Sequence, residues 1–154
     1  MVHLDEIDRK ILSILQDNGR IRNRELANRI GLSPPSALER VKKLEKKGVI
    51  KRYVALLNPV SIGKDTVMFV AVSLIIHQEN AIEKFTSAVM SLPEVLECYH
   101  ITGTSDYLLK VAVRDVAAYE EFVLHKLLKI PVIQNIQTSV VLSTVKQNTK
   151  FEIS

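Results

Sequence analysis

Residues 31–34, Gly-Leu-Ser-Pro, stop one helix and start another with a single residue between the two signals. Gly31 supplies the positive φ that ends a helix. Ser33 offers a hydroxyl to free backbone N–H groups, and Pro34 suits the first helical position, where a donor has no partner anyway. A junction this short excludes a strand or a long loop between the two helices. It predicts a helix-turn-helix. The leading helix is capped by Asn23, carries Glu25 in its first turn and buries Leu26, Ala27 and Ile30. The trailing helix runs from Pro34 to about Lys47 and ends at Gly48.

Leu4, Ile7, Ile11, Ile14 and Leu15 recur at three- and four-residue steps, which predicts a further amphipathic helix over 4–17, closed by Asn18-Gly19. A strand over 49–57 would add a wing. On the trailing helix Ala37, Val41 and Leu44 share the side that faces the first helix. At about 100° per residue, Ser36, Arg40, Lys43 and Lys47 form a stripe beside it. One hydroxyl and three cations along a helix of this width fit a major groove. Ser36 and Arg40 lie where base edges are reached; Lys42, Lys43, Lys46 and Lys47 are placed for phosphates, and Ser33 at the cap completes the candidate set.

Charge supports this. Residues 1–58 hold thirteen Lys+Arg and seven Asp+Glu, whereas 59–154 hold eight and ten. A basic part joined to a mildly acidic one predicts polyanion binding in the first and a separate task in the second. Asn58-Pro59, with Gly63 following, sets the expected boundary, giving domains 1–58 and 59–154. The 47% apolar and 25% charged content excludes a disordered chain. The longest apolar run, 67–76, is interrupted by Ser73 and falls short of the roughly 18 residues a membrane span needs. The acidic start argues against a secretory signal, so a cytoplasmic location without membrane association is expected. One cysteine, Cys98, excludes an internal disulfide and a Cys-rich zinc site.

The second part reads as βαββαβ. A β-rich apolar run at 66–76 precedes a helix over 81–90 with Ile82, Phe85 and Val89 at helical spacing. Strands follow to about Ile101 and over Tyr107–Val113, on either side of the turn 102–106. Asp115 caps a helix burying Val116, Tyr119, Phe122, Val123 and Leu127, and Ile133–Val145 is the last strand. "SLPEV" at 91–95 and "KIPVI" at 129–133 mark a weak internal repeat. The order is that of a ferredoxin-like fold. Two helices cover one face of such a sheet, so strands apolar on both faces predict a second copy on the other, a dimer through this part. The fold class is α+β.

The segments "LDEIDRKILSILQDNGR" at 4–20, "ELANRIGLSPPSALERVKKLEKKGVIKRY" at 25–53, "ECYHITGTSDYLLKV" at 97–111 and "TSVVLSTVK" at 138–146 resemble the Lrp/AsnC (feast/famine) family of prokaryotic transcription regulators. The resemblance spans nearly the whole chain. It implies an N-terminal winged helix-turn-helix on double-stranded DNA and a C-terminal ACT-like (RAM) domain that dimerises and binds a small effector, usually an amino acid. It also implies assembly of dimers into octamers or other higher oligomers. The family's effector pocket involves the Gly-x-x-Asp turn, here Thr102, Gly103, Thr104, Ser105 and Asp106, with the last strand of a neighbour contributing; Gln137, Thr138 and Ser139 are the candidates. The chemistry suits an L-amino acid: a glycine-containing turn presents N–H groups to a carboxylate, and Asp106 can accept from an ammonium.

Cys98 and His100 share a strand face but lack an orienting carboxylate, so they read as interface residues rather than as nucleophile and base. His3, His77 and His125 are scattered, and neither a metal site nor a cofactor is expected. Tyr53 reads as packing. The expected protein is a regulator and not an enzyme. Two rivals remain: an effector-binding subunit of an enzyme, which leaves the basic helices unexplained, and a nucleoid-architecture protein without sequence preference or effector.

Overall fold

The computed structural model describes residues 2–75 and 79–153. Ile76, to which the first strand was expected to extend, and His77 lie outside the described residues. The chain divides into two compact units, 1–56 together with 146–154, and 57–145.

The first unit contains α1 (Glu6–Asp17), α2 (Asn23–Ile30) and α3 (Pro34–Lys46). The apolar positions read from the sequence converge: Ile11, Leu12, Leu26, Ala27, Ile30, Ala37 and Leu44 form one buried cluster, with Ile7, Ile14, Leu15 and Val41 packed around it. Two helix starts differ from expectation. α1 starts at Glu6 because Asp5 is its N-cap, accepting from the Asp8 N–H at 2.8 Å. Asn23 is the first helical residue of α2 rather than its cap, and its side-chain amide donates to the Pro34 carbonyl at 2.7 Å. That bond ties the start of α2 to the start of α3.

Two further expectations are corrected. Residues 49–57 carry no strand. Val49 and Ile50 pack on the helical cluster, but Val54, Leu56 and Leu57 are exposed. A single β-rich segment becomes a strand only where a neighbouring strand takes its N–H and C=O groups; the Val49 and Ile50 N–H groups go instead to the Leu44 carbonyl near the end of α3. The final segment, assigned from the sequence to the second domain, groups with the first unit. Phe151 N–H donates to Gln16 Oε1 at 2.7 Å, Gln16 Nε2 donates to the Phe151 carbonyl at 3.0 Å, Lys150 Nζ holds both Asp17 oxygens, and Ile153 joins the helical core.

The second unit is β1 (Thr66–Leu74), α4 (Ala81–Met90), β2 (Val95–His100), β3 (Tyr107–Val113), α5 (Val116–His125) and β4 (Ile133–Val140), an α+β βαββαβ arrangement. The sheet order is β2-β3-β1-β4, with every pair antiparallel. Val70 and Val72 of β1, Leu109 and Val111 of β3, Phe85 of α4 and Phe122 of α5 form its core, so both helices cover one face. Phe69, Ala71 and Leu108 alternate onto the other face, where Phe69 is exposed. β4 ends at Val140, five residues before the expected Val145.

Candidate functional site

The turn between α2 and α3 has the geometry its residues dictate. Gly31 is left-handed at φ 71°, Ser33 Oγ accepts from Ser36 N–H at 3.3 Å, and the two hydroxyls lie 2.8 Å apart. Lys42, Lys43, Lys46 and Lys47 are exposed, and none joins an ion pair among the described residues. Arg22 and Arg24, which the sequence reading passed over, stand exposed at the start of α2, beside the start of α3. They occupy the N-terminus of the motif's first helix, the element that crosses the DNA backbone in helix-turn-helix proteins generally.

Arg40 departs from the expected stripe. Its guanidinium turns to α1, where Nη1 donates to Asp5 Oδ2 at 2.6 Å and to Asp8 Oδ1 at 2.9 Å. These bonds raise the Arg40 pKa further. The backbone N–H of Asp8, then Arg40, hold the Asp5 carboxyl below its ordinary value. Arg40 thus clamps α3 to α1 instead of standing open. The side of α3 opposite Ala37 and Leu44 carries Pro35, Glu39, Lys42 and Lys46 at four- and three-residue steps, flanked by Ser36 and Lys43. Tyr53 is half-exposed: its hydroxyl donates to Glu45 Oε1 at 3.0 Å, and partial burial pushes its pKa up to about 12. A Cβ on Gly19 would come within 3.3 Å of its ring.

In the second unit the turn 102–106 joins β2 to β3, with Gly103 at φ 135°, and Thr102 and Thr104 exposed. Asp106 is already at work in the fold: its Oδ2 accepts from Leu74 N–H at 2.7 Å and its N–H donates to the Val72 carbonyl at 2.9 Å. Beside it lies an open cavity of about 420 Å³, with Leu74, Ala81, Ile82 and Tyr107 as its apolar wall and Glu83, His100 and Asp106 as its polar one. Gln137, Thr138 and Ser139 do not reach it, since β1 stands between β3 and β4. They are also split by the pleat: Thr138 shares a hydrogen bond with the Tyr119 hydroxyl on the helix side, whereas Gln137 and Ser139 point to the other face. One chain therefore does not gather the expected effector set.

A model of the winged helix-turn-helix DNA-binding family matches residues 4–51, and one of the Lrp/AsnC ligand binding domain matches 67–151. A leucine-responsive regulatory protein from Klebsiella pneumoniae is 44% identical over 150 residues, covering 97% of this chain and 92% of that protein. The chain belongs to the Lrp/AsnC family. It is a DNA-binding transcription regulator with a ligand-binding domain. The Escherichia coli leucine-responsive regulatory protein is 43% identical over the same span. Among solved structures, a transcriptional regulator from Neisseria meningitidis in complex with L-Met superposes with a TM-score of 0.93 at 41% identity, covering 97% of each chain. Escherichia coli AsnC gives 0.85 at 31% identity, covering 97% of this chain and 99% of that one.

In this Lrp/AsnC regulator Cys98 and His100 lie on the exposed strand β2. Cys98 is free and exposed, desolvation by its surroundings holds its thiol above the ordinary value, and the His100 ring stacks on Tyr107 at 4.8 Å.

Proposed function

We propose that this regulator reads specific DNA sites with α3 and that its DNA binding or assembly responds to an L-amino acid. The observation that carries the first half is the row of cations, unpaired among the described residues, on a capped recognition helix: Lys42, Lys43, Lys46 and Lys47 answer phosphates, while Ser33 and Ser36 sit at the end nearest the bases. Arg40 serves as a positioning residue, holding that helix on α1.

The effector half rests on the turn at 102–106, the cavity beside Asp106 and the L-Met carried by the Neisseria regulator. Gln137, Thr138 and Ser139 belong to the same site only if a neighbouring chain supplies them, which ties effector binding to assembly. The outward sheet face with Phe69, Ala71 and Leu108 suits a second copy, giving a dimer that presents two α3 helices to two half-sites and that builds higher oligomers. A soluble, cytoplasmic regulator without enzymatic activity fits this reading, as its relatives are regulators.

Thermal melting of the purified protein against the twenty L-amino acids at millimolar concentration tests the effector. Ligand at ~100 times its Kd adds ~2.7 kcal/mol, on the order of 2–4 °C per kcal/mol for a chain of this size. Stabilisation by one side-chain class supports the reading; a flat panel contradicts it.

A further inference from the structure

Glu39 is the sixth residue of α3, in the half that reaches base edges, and it lies opposite the buried Ala37 and Leu44. It is exposed and makes no hydrogen bond or ion pair among the described residues, although Lys42 and Lys43 follow one turn later. The other carboxylate of the helix, Glu45, is accounted for by the Tyr53 hydroxyl. With Arg40 drawn away to Asp5 and Asp8, Glu39 is the first charged side chain along the face of α3 opposite its buried side, ahead of Lys42 and Lys46.

A carboxylate there is repelled by phosphates whatever the sequence. It is also repelled by the edges of guanine and thymine, which offer it only acceptors. Adenine pairs its amino group with an adjacent acceptor. Cytosine presents an N4 amino donor, and a carboxylate can accept from it. We propose that Glu39 is a specificity-determining residue that selects cytosine at one position of each half-site, chiefly by penalising the other bases. This rests on the sequence-specific reading above.

The test is selection of bound duplexes from a random DNA pool by the full-length protein, E39A and E39Q. Wild type is expected to enrich a half-site with one strong cytosine position. E39A should flatten that position, losing a roughly tenfold or greater preference while the rest of the consensus stays. E39Q should move it to adenine, which a side-chain amide pairs bidentately. Melting temperatures equal to wild type are expected for both, since Glu39 makes no hydrogen bond or ion pair among the described residues. A consensus unchanged in both variants, with affinity raised uniformly on all sequences, would overturn the proposal while leaving DNA reading by α3 intact. A wild-type protein that enriches no sequence would overturn both.

Discussion

Arg40 shows how far helical periodicity carries at the residue scale. Its spacing from Ser36, Lys43 and Lys47 was legible, but its orientation depended on Asp5 and Asp8, more than thirty residues away. No local pattern reports such a partner. Arg40→Ala is expected to destabilise the helical unit by about 1 kcal/mol, the range for partly exposed charged pairs. It should weaken binding to all DNA alike, which melting and a comparison of two unrelated duplexes will check. The pH dependence has a definite sign. The Asp5 carboxyl is lowered in the fold from 3.8, so its stabilisation is complete above that value and is lost as pH falls through the lower folded one. Melting temperature should therefore drop on acidification below about pH 4, and less steeply in the Arg40→Ala variant. Asp106 was found as the nearest carboxylate, but its bond to Leu74 N–H was not legible. Asp106→Ala should cost about 1–3 kcal/mol by leaving that donor unpaired. Asp106→Asn keeps an acceptor and removes the charge; it is expected to fold normally and to lose the thermal response to the effector.

At the scale of elements, α1 to α5 and the order of the four strands were readable because amphipathic spacing and the Gly31–Pro34 junction are local signals. The wing and the tail were not. Residues 49–57 have β-forming side chains but no ladder partner within the described chain. The tail has no periodicity at all, and its place is set by Gln16, Asp17 and the helical core. The chain thus leaves the DNA-binding unit at residue 56 and returns to it after 145. Removing residues 150–154 is expected to lower the stability of α1 to α3 by about 1–3 kcal/mol, through lost hydrogen bonds and the uncovered site of Ile153. Melting of the truncated protein checks this. Lys43→Ala belongs to the recognition helix and should leave the fold unchanged. It should weaken specific and random DNA equally and reduce the salt slope of the binding constant by about 1.

At the scale of the whole molecule, the sheet with one face under α4 and α5 and the other carrying Phe69, Ala71 and Leu108 gives the chain a reason to pair. Phe69→Asp should shift the protein to monomers in sedimentation and lower its affinity for paired half-sites more than for a single one. The candidate effector site was legible in part. The turn at 102–106 was legible only through the family resemblance, since Gly, Ser and Asp are ordinary turn residues, and β4 carries its candidates on both faces with no local signature. The proposed function joins DNA reading to effector binding in one protein. Its most direct test is the Kd for a selected duplex and for a shuffled one, with and without the amino acid that raises the melting temperature. A preference of ~10³ or more for the selected duplex is expected, with a Kd that moves when the amino acid is added. Equal affinity for both duplexes, unmoved by any of the twenty, would contradict it.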